Sequence, residues 1–219
     1  MAEAGGSTRF CPGYTNETPE DRVDRLKRAQ PRRKPGEDPE GRIPPGQYLT
    51  ENFPVLTKGP TPSVNLEQWC LKLFGNVETD VELTWEEFSA LPQVEIVSDF
   101  HCVTRWSMLD CTWGGIHIRE VLKHVAILSN TRYVMVHGYG HYTTNLLIDE
   151  DVLFAHTWNG EPLSKDHGGP LRLVVPKLCA WKSAKWVNGL EFIVYDQPGF
   201  WEQAGYHDRG DPRKEERFS

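Results

Sequence analysis

The run from Val94 to Gly115, VEIVSDFHCVTRWSMLDCTWGG, constrains this chain more than any other stretch. It begins as an apolar strand and then places Cys102 beside a histidine and close to an arginine, His101 and Arg105. Cationic neighbours favour the thiolate, which is both a nucleophile and a ligand for soft metals. Free cysteine is also among the most often buried residues, so Cys102 could instead be a core residue. The run therefore predicts a central strand that ends at a candidate reactive or metal-binding thiol.

A second polar cluster lies between Lys165 and Lys185, in a chain whose net charge is -7. It contains His167-Gly168-Gly169, whose glycines let backbone amides approach an anion. The ligand implied is a compact anion such as a phosphate, unless these are simply outward-facing residues of ordinary strands. No Walker A motif follows, because the next residue is Pro170, so the usual nucleotide folds are not indicated. The basic residues of this cluster are Lys165, Arg172, Lys177, Lys182 and Lys185.

Charge and cysteine content narrow the class of protein. The acidic balance argues against a general nucleic-acid binder, which would show a basic field. No stretch has the length and apolarity of a transmembrane helix, and the N-terminus lacks the apolar segment of a signal peptide. None of the five cysteines lies in a CxxC pair, which fits reduced thiols and predicts a cytoplasmic location. They are Cys11, Cys70, Cys102, Cys111 and Cys179.

Alternating apolar and polar residues predict many short strands, whereas helical spacing is rare. Thr84 begins a short helix with a capping box to Glu87, and 116–125 has the spacing of a second helix. Many strands with few short helices indicate an α+β fold with a mixed sheet rather than a doubly wound one. Besides the run from Val94, strands are predicted at 66–74, 132–136, 171–175 and 187–194, with a hairpin at Asn159-Gly160.

Composition divides the chain into two parts. Residues 1–46 are rich in glycine, proline and charge, which predicts an irregular N-terminal extension, and residues 47–219 form a single domain. The basic block from Arg22 to Lys34 indicates a solvated segment rather than a contact with an acidic partner. A C-terminal arm, at about 196–219, is expected to lie over the domain with isolated aromatic rings as anchors. These rings are Phe200, Trp201 and Tyr206.

The segments FHCVTRWS, WGG and HGGPLRLVVPKLCAWKSAKW resemble the sulfite oxidase-like, molybdopterin-dependent oxidoreductases. The resemblance is strongest to small cytosolic members with the molybdenum domain only, which are related to the periplasmic methionine sulfoxide reductase catalytic subunit. It runs from about Gln47 to the C-terminus. It implies the mixed-sheet, barrel-like fold of the molybdopterin domain, and molybdenum and molybdopterin as cofactors. It also implies that Cys102 supplies the protein sulfur to the metal.

The same resemblance implies where the pterin is held. Arg172 and Lys185 match residues that bind its terminal phosphate, and the backbone at Ser183 and Ala184 should assist. His167 occupies a cofactor-contacting position that is asparagine in the periplasmic methionine sulfoxide reductases. The remaining implied contacts are Asn52, Val55, Leu56, His137 and Gly138.

The resulting hypothesis is an enzyme that carries out two-electron oxygen-atom transfer on a small sulfite-like or S-oxide-like substrate. Electrons would be exchanged with a separate redox partner. Arg105 is a candidate to hold the substrate oxygen, and Trp106, Trp113 and Tyr142 are candidates to shape the pocket. Residues 137–148, punctuated by glycine, are predicted to form a loop that lines it.

Two readings from other classes remain open. The first is a cysteine hydrolase or transferase, with Cys102 as the nucleophile and His101 or His137 as the base. Neighbours in a strand point to opposite faces, so His101 is a poor base for Cys102. The second is a non-catalytic module that binds an anion at the run from Lys165 to Lys185.

Overall fold

The computed structural model describes residues 17–28 and 40–219. The α-helices within these residues are α1 (Pro19–Arg28), α2 (Trp85–Ser89), α3 (Ile118–Leu122) and α4 (Phe200–Gln203). The strands are β1 (Tyr48–Leu49), β2 (Cys70–Gly75), β3 (Val81–Thr84), β4 (Gln93–His101), β5 (Trp106–His117), β6 (Tyr133–Gly138), β7 (Tyr142–Leu147), β8 (Leu153–Trp158), β9 (Glu161–Pro162), β10 (Arg172–Val174) and β11 (Val187–Ile193). Single 3-10 turns lie at Lys165–His167, Ala180–Lys182 and Pro212–Lys214.

The strands form two mixed sheets. In the first sheet the order is β1-β5-β8-β10, β4 pairs with β5 along most of its length, and β9 pairs with β8. In the second sheet the order is β3-β2-β11-β6-β7. Each sheet has one parallel pair, β1 with β5 and β11 with β2, among antiparallel ones. The predicted α+β class with a mixed sheet and short helices is confirmed. Both sheets are open within the described residues, so the barrel-like description does not extend to a closed barrel.

The first sheet is buried on both faces, because alternate residues of its strands enter different cores. Phe154 belongs to a core shared with the second sheet, together with Leu71 and Leu190. Its neighbour Leu153 belongs to another core on the opposite face, together with Cys102. This second core is completed by α1 and the C-terminal residues. Period-two alternation therefore places the candidate thiol on the face that α1 and the C-terminal residues cover.

Two local predictions are confirmed by hydrogen bonds and backbone angles. The Thr84 side chain accepts from the Glu87 amide, and the Glu87 carboxylate accepts from the Thr84 amide, which is the predicted capping box at the start of α2. Asn159 and Gly160 both have positive φ angles, of 50° and 81°, and join β8 to β9. Such angles at both central residues are those of a tight hairpin turn.

Other boundaries differ from the prediction because pairing between distant strands overrides local spacing. The predicted helix at 116–125 begins only at Ile118, since Ile116 pairs with Phe154 and extends β5. The strand predicted at 66–74 begins at Cys70. The predicted loop at 137–148 is mostly strand, because β6 and β7 pair from Gly138 outward.

The prediction of an irregular extension at 1–46 is wrong for Pro19–Arg28, which forms α1. Thr18 Oγ1 accepts from the Asp21 amide at 3.0 Å and so caps the helix. Val23 is 2% exposed and packs into the domain. Packing of this apolar side chain outweighs a composition that, taken alone, favours disorder. Cys11 and the basic residues Arg32, Arg33 and Lys34 lie outside the described residues, and the domain boundary at 46–47 stays a prediction.

Every helix in the described ranges is too short or too polar to cross a lipid bilayer.

Candidate functional site

Cys102 lies at the tip of the longest hairpin of the fold. β4 and β5 pair antiparallel up to His101 opposite Ser107, and the turn is closed by the Cys102 amide donating to the Trp106 carbonyl at 2.9 Å. Thr104 Oγ1 donates to Cys102 Sγ at 3.2 Å. The thiol is buried, with 5% of the residue exposed. The hairpin therefore holds the sulfur in a fixed position at the end of the sheet.

A chain of buried hydrogen bonds next to the turn supports this hairpin. Ser107 Oγ donates to Gln47 Oε1 at 2.7 Å, and His101 Nδ1 lies 2.9 Å from Ser107 Oγ. Because the single hydroxyl proton goes to Gln47, His101 Nδ1 is the donor of the second bond. Burial lowers the pKa of His101 to about 4, so this imidazole is neutral. Sequence reasoning missed the role of Gln47 and Ser107, whose only signal was polarity beside an apolar run.

The charges near the thiol differ from those expected. Burial raises the pKa of Cys102, and Arg22 and Arg172 are the cations that oppose this rise. His101 is neutral and faces Ser107. Arg105 has a left-handed backbone, with a φ of 73°, and its guanidinium lies on the Gly46 side of the turn. The expectation that His101 and Arg105 would favour the thiolate is therefore wrong.

Cys102 opens into a cavity with about 760 Å³ of empty volume, part of it continuous with solvent. The cavity brings together two sequence motifs that are about seventy residues apart and were predicted to cooperate. The predicted site residues that line it are Leu56, Cys102, Trp106, Tyr142, Arg172, Ser183, Ala184 and Lys185.

Two predicted residues lie directly behind the cavity wall. His167 stacks on Phe53, with ring centroids 4.0 Å apart, and its Nε2 donates to the Phe53 carbonyl at 3.0 Å. A Cβ at Gly138 would lie 2.3 Å from the Lys185 carbonyl oxygen. Only glycine permits this approach, so Gly138 sets the position of the Lys185 backbone.

Other predicted residues are placed away from the lining. Asn52 is exposed and Val55 is 48% exposed. His137 Nε2 donates to Glu191 Oε2 at 2.9 Å, on the second sheet. With His101 and His137 both bonded elsewhere, neither predicted base reaches Cys102. No histidine is among the described residues that line the cavity.

Arg172 is a buried cation with an unused donor. It is 3% exposed, and its guanidinium carbon lies 5.0 Å from the Phe100 ring centre and 5.6 Å from that of Phe53. Its Nη1 donates to the His167 carbonyl at 2.7 Å, whereas Nε is buried without a partner in the described part of the chain. Burial lowers the pKa of Arg172 to about 10. A buried charge of this kind calls for an anion.

Lys185 converges on the same end of the cavity. Its Nζ donates to the carbonyl oxygens of Leu56 at 3.0 Å and Asp166 at 2.5 Å. Burial, and then repulsion by Arg172, lower the pKa of Lys185 to about 7, although the Asp166 charge opposes this. The Arg172 charge thus disfavours the protonated form of Lys185, and an anionic ligand between them would favour it again.

Several lining residues were not predicted as part of the site. Trp181, Trp201 and Tyr206 come from the segment after β10 and from the C-terminal arm, and Arg22 comes from α1. Trp201 and Tyr206 had been expected only as anchors of the arm. Arg22 had been placed in a solvated block. No local signal distinguishes these roles, because the cavity forms only when α1 and the C-terminal arm fold onto the first sheet.

Comparison with known proteins gives consistent results. The model of the family described as "Oxidoreductase molybdopterin binding domain" matches residues 58–201. The Bacillus subtilis protein "Uncharacterized oxidoreductase YuiH" is 42% identical over 187 residues, which cover 83% of this chain and 94% of that protein. Sulfite oxidase of Arabidopsis thaliana is 26% identical over 202 residues, covering 73% of this chain and 51% of that protein.

A solved structure is similar in fold. The crystal structure of the sulfane dehydrogenase SoxCD from Paracoccus pantotrophus matches with a TM-score of 0.57 and 19% sequence identity. The match covers 62% of this chain and 40% of that chain. The present chain therefore spans about half of the plant sulfite oxidase and less than half of the SoxCD chain.

Proposed function

The chain belongs to the oxidoreductase molybdopterin-binding domain family, and from this premise we propose that it transfers an oxygen atom to or from a small oxyanion or S-oxide. Its cofactors are molybdenum and molybdopterin. When bound, this group supplies two-electron redox chemistry coupled to oxygen-atom transfer. The protein contributes binding, orientation and control of water access.

The observation that carries the proposal is a soft thiol and a buried, incompletely paired cation in one cavity. Cys102 Sγ is suited to a metal that cycles between oxidation states. Arg172 Nε has no hydrogen-bond partner among the described residues, and Lys185 lines the same region, so a phosphate fits this end. The described residues thus fit the molybdenum-pterin group. Cys102 would hold the metal, and Arg172 and Lys185 would hold the phosphate.

Other residues position the side chains that would hold the cofactor or shape the space around it. The His167 carbonyl orients the Arg172 guanidinium, and Gly138 lets the Lys185 backbone approach β6. The Tyr142 hydroxyl is hydrogen-bonded to the backbone of Lys58, so this residue offers its ring rather than a free hydroxyl to the cavity. Tyr142 therefore shapes the pocket and excludes water.

The first test is cofactor content. Protein from a host that makes molybdopterin is expected to carry close to one molybdenum and one pterin per chain, by elemental analysis and pterin fluorescence. Zinc at that level, with molybdenum and pterin absent, would refute the proposal.

The second test replaces the proposed metal ligand. Cys102→Ser is expected to abolish redox turnover and to lower molybdenum content, because a hydroxyl is a harder and less acidic ligand than a thiol. Pterin should remain, since its phosphate end is held by other residues. Cys111→Ser is the matched control, because Cys111 is 2% exposed and lies outside the cavity lining. Full turnover of Cys102→Ser, or equal loss in both variants, would show that Cys102 is structural.

We further expect the protein to work in the cytoplasm with a separate electron-transfer partner. The cysteines in the described part of the chain, Cys70, Cys102, Cys111 and Cys179, are all free thiols, which suits a reducing compartment. Fractionation of cells that make the protein tests the location. Turnover measured with added electron carriers of different reduction potential tests whether a separate partner supplies or accepts the electrons.

A further inference from the structure

Arg22 brings a third positive charge into the cavity from α1, a helix outside the residues that match the family model. We propose that Arg22 binds the substrate and makes the enzyme selective for a compact oxyanion over a neutral S-oxide. This inference rests on the proposed function, because it names the substrate class of the same site.

The helix that carries Arg22 is attached at several points. Val23 is 2% exposed and packs into the core that contains Cys102. Lys27 Nζ donates to the Ser219 carbonyl at 3.2 Å, and Lys58 Nζ donates to the Glu17 carbonyl at the start of the helix. These contacts fix the direction in which the arginine leaves the helix.

The guanidinium of Arg22 is held by an aromatic face and keeps hydrogen-bonding capacity. Its central carbon lies 5.2 Å from the centre of the Trp201 ring, which stacks on Tyr206 at 5.1 Å. Arg22 Nε is buried and has no hydrogen-bond partner among residues 17–28 and 40–219. In the same ranges no carboxylate lies within 4.0 Å of this guanidinium, and the Glu17 carboxylate, which is paired with Arg25, interacts with it only at longer range. A cation positioned in this way is available to a ligand.

A separate aromatic group holds the other arginine. Arg172 packs over Phe53 and Phe100, whereas Arg22 packs over Trp201. The cavity therefore has two guanidinium positions on different walls. In the proposed function, the pterin phosphate occupies the position at Arg172 and Lys185.

The cavity lining carries more positive charge than one phosphate can neutralise, so the position at Arg22 remains for a second anion. The described lining includes Arg22, Arg172 and Lys185 but no aspartate or glutamate. A phosphate monoester carries a charge of about -1.5 to -2 at neutral pH and so offsets at most two of these cations. The third cation favours a further negative ligand in a partly desolvated space. A neutral S-oxide would leave the Arg22 charge without a partner among the described lining residues, since Glu17 lies outside the lining and is already paired with Arg25.

The experiment uses molybdenum-loaded, full-length protein, in which the phosphate position is already filled. Inorganic sulfate serves as the anionic probe and dimethyl sulfoxide as the neutral probe, with binding followed by tryptophan fluorescence. Arg22→Gln is expected to weaken sulfate binding about tenfold or more, as for loss of a charged hydrogen bond, and to leave dimethyl sulfoxide binding unchanged. Arg22→Lys should give an intermediate loss, because it keeps the charge without the planar fork.

Arg28→Gln is the matched control, since it removes the same charge from the same helix at a side chain that is 82% exposed. Unchanged sulfate affinity in Arg22→Gln, or an equal fall in Arg28→Gln, would overturn the inference. Loss of pterin from Arg22→Gln would also overturn it, because Arg22 would then hold the cofactor. Failure of the proposed function itself is distinct, because wild-type protein would then lack molybdenum.

Discussion

Lys165, Arg172 and Lys185 belong to one basic run, yet the structure gives them different surroundings. Arg172 is buried, Lys185 is half-buried, and Lys165 is exposed. Only the first two line the cavity. Desolvation strengthens the interaction of a cation with an anion, whereas an exposed lysine interacts mainly with water. The side chains of one run should therefore differ in their effect on the cofactor.

Arg172→Ala is expected to lower pterin retention more than Lys185→Ala does. Arginine can hold a phosphate through two parallel N–H bonds, so its removal should cost about 1.5–3 kcal/mol of cofactor binding. The measurement is pterin per folded chain after extensive dialysis. Lys165→Ala is the control and should keep wild-type content. Wild-type retention in both cavity variants would place the phosphate elsewhere.

At the scale of elements, a buried ion pair attaches the C-terminal arm to the domain. Lys182 Nζ donates to Glu202 Oε1 on α4 at 2.8 Å, to Asn145 Oδ1 on β7 at 2.7 Å and to the Asp208 carbonyl at 2.7 Å. The two charged side chains are 1% and 0% exposed. Trp181 Nε1 also donates to Glu202 Oε1, at 3.1 Å. The arm that carries Trp201 into the cavity is thus fixed by fully desolvated charges.

Lys182→Met is expected to destabilise the protein by about 3–5 kcal/mol, because Glu202 would be left as an unpaired buried charge. Chemical denaturation measures the loss. Lys177→Met removes the same charge from an exposed position and should change stability little. Adding Glu202→Leu to Lys182→Met should restore much of the stability, since no isolated charge then remains. If the double variant were as unstable as the single one, packing rather than charge would explain the effect.

At the scale of the whole molecule, α1 and the C-terminal arm close over the candidate site together. α1 contacts the last residue, Ser219, and Tyr206 pairs with Phe218 across the arm. The cavity that results confines Lys185, whose ionisation is then coupled to global unfolding.

The pH dependence of global stability should report this coupling. Burial lowers the folded-state pKa of Lys185 to about 7, whereas an unfolded lysine titrates at about 10.4. Between these values Lys185 binds more protons in the unfolded chain than in the folded one, so its contribution to the stability of the cofactor-free protein rises with pH. Below about pH 7 both states are protonated, and the cost of burying the charge is present in full.

Urea unfolding at several pH values from about 7 to 10 tests this effect. As the pH rises, the free energy of unfolding of the wild type should increase relative to that of Lys185→Met, by up to about 1.4 kcal/mol per pH unit. Lys165→Met should follow the wild type, because Lys165 is exposed. Bound cofactor should reduce this pH-dependent difference between the wild type and Lys185→Met, because a phosphate favours protonated Lys185. If the free energy of unfolding changed with pH in the same way for the wild type and for Lys185→Met, the ionisation of Lys185 would not be coupled to unfolding.

The sequence by itself determined the features that depend on neighbouring residues. The capping box at Thr84 and the turn at Asn159-Gly160 need only local backbone angles and short-range hydrogen bonds. The α+β class followed from alternation in many short segments. The Cys102 and Arg172 motifs were recognised because each lies within one continuous segment.

Tertiary structure alone decided the rest. Ile116 and His117 have helical spacing with the residues that follow, but pairing with β8 makes them strand. The neutral state of His101 and the entry of Arg22 into the cavity depend on which segments meet and what they desolvate. Burial and charge proximity are properties of contacts between residues far apart in the chain. Such contacts leave no local pattern, which is why the sequence indicated the thiol and a candidate anion site but not the surroundings that set their chemistry.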